Sequence, residues 1–239
     1  MKFHSRFQYI KSRNVCKGLS IYLLFISSFF LQNLNGQATW YSYQSGNWEV
    51  ASSWTTDPSG TLFINPYSLT PSGTDVVVVL NGRSIVKTTS PGASTPLCNT
   101  LEVKQGAIMD FRGTNNHTIT TVNGQGIIKT QGVLPTVTNF NFNNSGGGTI
   151  EFNNTANFNF STAITTFNNL SLNFSTDAIV GTLVSNLTIN GNFNIQQGIF
   201  QINDNTNASR TISVAGNVHV DANGSIRLGP RDRNHTFSL

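Results

Sequence analysis

Any active site in this chain would have to be built from ten carboxylates: Glu49, Asp57, Asp75, Glu102, Asp110, Glu151, Asp177, Asp204, Asp221 and Asp232. Glycoside hydrolysis needs two carboxyls about 5–10 Å apart, one to protonate the leaving group and one to act as base or nucleophile. The ten are scattered, and no motif pairs them. Asp110 with Arg112, and Asp221 with Arg227, are spaced to face a groove, but solvated surface pairs are the simpler reading. His117, His219 and His235 lack metal-ligand spacing, and neither usual form of Asp-rich calcium loop is present. The expectation is therefore no catalysis, no metal and no cofactor.

Two further residue types bear on binding. Cys98 lies in the apolar-flanked stretch Leu97-Cys98-Asn99-Thr100-Leu101 with no basic residue beside it, which reads as a small buried hydrophobe rather than a reactive thiol. Trp40, Trp48 and Trp54, with Tyr41 and Tyr43, form the chain's aromatic cluster. Exposed, the three tryptophans would stack on sugar rings; buried, they would plug the open end of a repeat structure. The second reading is favoured and the first kept as the candidate glycan site. Thr118-Ile119-Thr120 and Thr136-Val137-Thr138 resemble the threonine ladders of ice-binding solenoids but do not recur at the repeat period found below.

These residues must be positioned by strands. Only 10% of the 239 residues are charged, whereas 31 are Asn, 28 Thr and 17 Phe. Asn, Thr and Gly are poor helix formers, and Phe and Thr favour strands. Five of the 14 basic residues (Lys2, Arg6, Lys11, Arg13, Lys17) precede every acidic one. They flank the 13-residue apolar run from Leu19 to Leu31, too short for a membrane span of about 20 residues. Small residues follow at Gly36 and Ala38, the pattern of a secretory signal over residues 1–38. Without it, nine basic residues face ten acidic ones, so no basic surface remains for nucleic acid. Contact with a membrane is expected only through the signal, during export.

Internal similarity is the strongest pattern. Leu187-Thr188-Ile189-Asn190-Gly191-Asn192-Phe193-Asn194-Ile195 aligns with Ile212-Ser213-Val214-Ala215-Gly216-Asn217-Val218-His219-Val220 at an offset of 25. After one inserted residue, Gly198-Ile199-Phe200-Gln201-Ile202 aligns with Gly224-Ser225-Ile226-Arg227-Leu228. Each copy alternates apolar and polar residues, as a half-buried strand does. Asn-Gly at 81–82, 123–124, 190–191 and 223–224 offers corners with positive φ. A repeat of this period predicts stacked coils, an all-β right-handed parallel β-helix, with an antiparallel β-sandwich as the alternative. The expected divisions are a signal at 1–38, an aromatic N-terminal cap at 39–75 and coils from 76 to 239. Phe142, Phe152, Phe160, Leu172, Ile189, Phe193, Val214, Val218 and Ile226 should face inward, and Asn side chains in register should bond along the stack.

The succession Gly146-Gly147-Gly148-Thr149-Ile150-Glu151-Phe152-Asn153, Phe167-Asn168-Asn169-Leu170-Ser171-Leu172 and Val184-Ser185-Asn186-Leu187-Thr188-Ile189-Asn190-Gly191-Asn192-Phe193 resembles the coils of large adhesin-like β-helix proteins exported by Bacteroidetes. The entry Ser45-Gly46-Asn47-Trp48 through Ser53-Trp54 is similar to their N-terminal cap. The resemblance implies a secreted or outer-surface location and extracellular glycans or surface proteins as partners. Such proteins commonly end in a type IX sorting domain. No such domain follows the last coil here, so the sequence is expected to be a piece of a longer chain.

Overall fold

Alternating apolar and polar residues fold here into short strands that stack in parallel. The computed structural model describes residues 36–92, 94–202, 208–229 and 235–239. The signal expected at 1–38 lies almost wholly outside the described residues. In the unit Ala38–Leu239 the only helical elements among the described residues are two three-residue 3-10 turns, Ala51–Ser53 and Asn141–Asn143. The rest is a parallel β-helix of about seven turns. Only one pairing among the described residues is antiparallel, which excludes the sandwich.

Three sheets run along the stack. Sheet I holds Thr39–Ser42, Val76–Val79, Thr95–Val103, His117–Gly124 and Thr136–Phe140 in successive turns. Sheet II begins at Gly46–Asn47 and runs through Ser84–Val86, Ile108–Asp110, Ile127–Thr130, Thr149–Phe152 and Asn169–Asn173 to Phe193–Gln201 and Val218–Arg227. Sheet III starts only at Thr166–Phe167 and continues through Leu187–Ile189 and Thr211–Val214 to Thr236–Ser238. Sheet II is thus continuous, while sheet I gives way to sheet III partway along.

The repeat found in the sequence is the register of the last turns. Leu187 lies opposite Ile212 and Ile212 opposite Phe237, two steps of 25. The one-residue insertion is also real: the register shifts between Ile195 and Gln197, so that Ile195 faces Val220 but Gly198 faces Gly224. The 25-residue step does not hold elsewhere. Val76 faces Thr100, Leu101 faces Val122 and Thr118 faces Thr136, steps of 24, 21 and 18. Corners between short strands absorb the difference, because they vary in length while the rungs keep their pairing. A consequence is that Thr136-Val137-Thr138 does stack on Thr118-Ile119-Thr120, at a step the 25-residue period hides.

The interior is apolar throughout, from Val77, Leu101, Met109 and Ile128 to Phe142, Phe167, Phe193 and Phe200, all 2% exposed or less. Phe193 meets Phe200 edge-on at 5.0 Å, and Phe152 meets Phe160 likewise. Of the nine residues expected inside, seven are buried. Val218 is only partly buried and Ile226 is 36% exposed. Both lie on Val218–Arg227, which pairs on one edge with Phe193–Gln201 and has no strand on the other among the described residues. The Asn-Gly sites also divide. Gly82 and Gly124 take positive φ, but Gly191 and Gly224 do not. Gly191 is needed for closeness instead: a Cβ there would lie 2.4 Å from Asn169 Oδ1.

The aromatic N-terminal segment, expected as a cap over 39–75 before the coils, supplies the first strands of sheets I and II and so is itself the first turn. Trp54–Thr55 folds back antiparallel on Thr39–Ser42 and covers the outer edge of sheet I. Buried Asp75 ties it down, accepting from Trp40 Nε1, Ala38 N and Ser72 N.

Candidate functional site

The structure places the three candidate glycan-stacking tryptophans inside. Trp40, Trp48 and Trp54 are 5%, 3% and 0% exposed. Trp54 Nε1 donates to the Trp48 carbonyl at 2.8 Å, and the two rings meet edge to face at 5.0 Å. No ring face is left for a sugar. They cap the stack: among the described residues no turn precedes the first one to bury its apolar side.

The ionisable groups are spread over the stack and mostly hold structure. Lys87, with its side chain 7% exposed, is paired to Glu49. Burial works to raise the Glu49 carboxyl, but donors from Lys87, Thr89, its own backbone and Thr88 outweigh it and hold the group at about 2. Beside this network His117 is buried, and its Nε2 has no partner among the described residues. Burial first, and the Lys87 charge second, push its pKa down and keep the ring neutral. Lys129 Nζ lies 2.8 Å from Glu151 Oε1, an ion pair whose angles fall short of hydrogen-bond geometry.

Neither groove pair suggested by sequence forms. Asp110 accepts from the Arg112 backbone amide, while Asp221 pairs with His219 and Arg227 donates to Gln201. No three His, Cys, Asp or Glu side chains cluster as a metal site among the described residues. Cys98 is 1% exposed, and burial together with the nearby Asp75 charge raises its thiol pKa, so it stays unreactive.

An apolar concave site forms elsewhere on the stack. A cavity of about 580 Å³ lies where sheet I stops and sheet III begins. Its walls include Leu134, Val137, Phe140, Phe152, Ile164 and Phe167, and no charged side chain lines it. Asn143, 7% exposed, is also in the wall. Its side-chain amide has no hydrogen-bond partner among the described residues, and Oδ1 is fully buried. A buried polar group left unpaired costs about 1–3 kcal/mol. In sequence Thr136-Val137-Thr138, Phe152 and Phe160 read as strand and interior residues and not as the wall of a site. The available signals were Pro135, which interrupts the strand pattern, and Ser161-Thr162-Ala163-Ile164, where alternation lapses.

On the outer surface, two kinds of polar column run along the stack. Asn169 Oδ1 accepts from Asn192 N, and Asn192 Oδ1 accepts from Asn217 N, the amide ladder expected from sequence. On sheet III, Thr166, Thr188, Ser213 and Ser238 lie directly opposite one another in four successive turns. Their hydroxyls make no hydrogen bond within the described residues, and all but Ser213 are exposed. Fold and surface together define a parallel β-helix protein. Compared with known protein families, curated proteins and solved structures, the chain gives no match in any of the three.

Proposed function

We propose that this is a non-catalytic, exported structural or adhesive module that holds extracellular glycans or surface proteins along one side of its stack. The observation that carries the reading is the hydroxyl column Thr166–Thr188–Ser213–Ser238. Rungs of a parallel stack repeat every ~4.8 Å. The column therefore offers evenly spaced donors and acceptors to a long polar polymer, each contact weak and the sum useful through multivalency. The secretory pattern of residues 1–38 supports export, and the resemblance to adhesin-like β-helix proteins of Bacteroidetes supports a place at the cell surface. The carboxylates support a structural role, since Glu49, Asp75 and Asp110 are each bonded to groups that hold turns in place.

A glycan array and a panel of extracellular proteins, probed with the wild type and with the Thr166→Ala, Thr188→Ala, Ser213→Ala, Ser238→Ala quadruple variant, test this. Binding lost in the variant at unchanged Tm is expected. Release of reducing ends from a polysaccharide, abolished by substituting one acidic residue, would reject the non-catalytic reading.

A further inference from the structure

Three independent features converge on the cavity between sheets I and III. The first is a pair of facing backbone edges. Thr136–Phe140 is the last strand of sheet I, paired with His117–Gly124 on one side only, and Thr166–Phe167 is the first strand of sheet III, paired with Leu187–Ile189 on one side only. Both strands contribute residues to the wall of the same cavity, and each has an edge without a strand partner among the described residues. The second is the lining, apolar and uncharged. Third is the Asn143 amide, nine-tenths buried in the wall with nothing to bond.

We infer that this gap is a binding site for an extended, uncharged peptide segment that adds as a strand between the two sheet edges. Main-chain groups of Thr136–Phe140 then gain the partners a further rung would give, as in other cases of strand addition. A peptide following the same path places one apolar side chain over Val137 and another, three residues on, over Phe140. Those two residues are themselves stacked on Ile119 and Val122. Asn143 supplies one further donor and acceptor to the incoming main chain. A lipid or alkyl chain would fill the apolar walls but leave both backbone edges and Asn143 unpaired, and so fits less of what is observed. This inference does not rest on export or on the hydroxyl column.

The probe is the blocked pentapeptide Thr-Val-Thr-Asn-Phe, which copies Thr136–Phe140 and carries its apolar-x-x-apolar spacing. Titrated calorimetrically into the full chain, it should saturate with a Kd below about 1 mM. The same peptide N-methylated at alternate residues keeps the side chains and loses the edge donors, and should bind at least about tenfold more weakly. Ala163 is exposed and lines the cavity, so Ala163→Trp fills it without entering the core. That variant should abolish binding at unchanged Tm, and Asn143→Ala should weaken it about fivefold. The inference is overturned if the N-methylated peptide or 1-octanol binds as well as the parent peptide, since the cavity then takes any apolar matter. It is overturned equally if no saturation occurs, or if neither variant changes the affinity.

Discussion

The turns built on sheet I and those built on sheet III use different means to hold the same architecture. On sheet I the steps are unequal, 24, 21 and then 18 residues, and like and unlike side chains both stack. Val79 faces Val103 and Thr118 faces Thr136, but Val76 faces Thr100 and Asn139 faces Thr121. Buried charge holds these early turns together, through Glu49 with Lys87 and Asp75 under the tryptophans. On sheet III the steps settle at 25, and like residues fall into columns: Leu187, Ile212 and Phe237 inside, and Thr188, Ser213 and Ser238 outside. A side chain can hydrogen-bond or stack with its own kind only if that kind recurs at the same rung position. Equal steps make that recurrence regular in sequence; where steps differ, as between Asn169, Asn192 and Asn217 at 23 and 25, the corners still bring like residues together.

The largest effects should come from the aromatic interior. Phe193 is fully buried and packs edge-on against Phe200, so Phe193→Ala should cost about 3–5 kcal/mol in urea denaturation. A loss below about 1 kcal/mol would show that the later turns do not depend on their phenylalanines. Backbone geometry comes next. Gly124 has φ of +117°, and a Cβ there would lie 2.0 Å from the Val103 carbonyl oxygen. Gly124→Ala should lower stability by roughly 1–3 kcal/mol, or more if the rung must open.

Acid should separate the two regions, and all three tryptophans report on the earlier one. His117 has a lowered pKa in the fold, so the unfolded chain binds more protons. Stability should fall as pH drops below the ordinary value of 6.5. Glu49 is held at about 2 against 4.5, so its contribution is present above 4.5 and lost as pH falls from there toward 2. Tryptophan fluorescence in a fixed urea concentration should show both losses. Glu49→Gln should flatten the lower one, and an unchanged acid profile in that variant would remove the network from the account. The smallest effect belongs to the amide ladder: Asn192→Ala removes one acceptor from the Asn169–Asn192–Asn217 series and should cost ~1 kcal/mol by thermal denaturation.

What sequence could reveal was whatever repeats locally. Alternation identified Phe152, Leu172, Ile189 and Phe193 as interior, and self-similarity placed the register shift between Ile195 and Gly198, where it lies. Cys98 was readable because its neighbours are apolar. Ile226 was not, since its exposure depends on which strand covers the next edge and not on its own alternation. The tryptophans were readable as a cluster but not as a binding surface, because ring exposure is decided by Trp54–Thr55 returning across Thr39–Ser42. The cavity escaped altogether. It arises where one sheet is exchanged for another, a relation between Thr136–Phe140 and Thr166–Phe167 that no periodicity within either segment encodes.

Sheet II alone runs unbroken past the level of that exchange. Above and below it, the backbone is bonded from turn to turn on more than one side, so bending in any direction strains hydrogen bonds. At the exchange no strand pairing joins Thr136–Phe140 to Thr166–Phe167, and side-chain bonds such as Asn190 Nδ2 to the Asn143 carbonyl cross it instead. Flexing the molecule there costs less than opening a rung, with sheet II as the fixed leaf of a hinge. Tension applied along the axis away from sheet II would therefore widen the cleft at this level before it disturbed any rung.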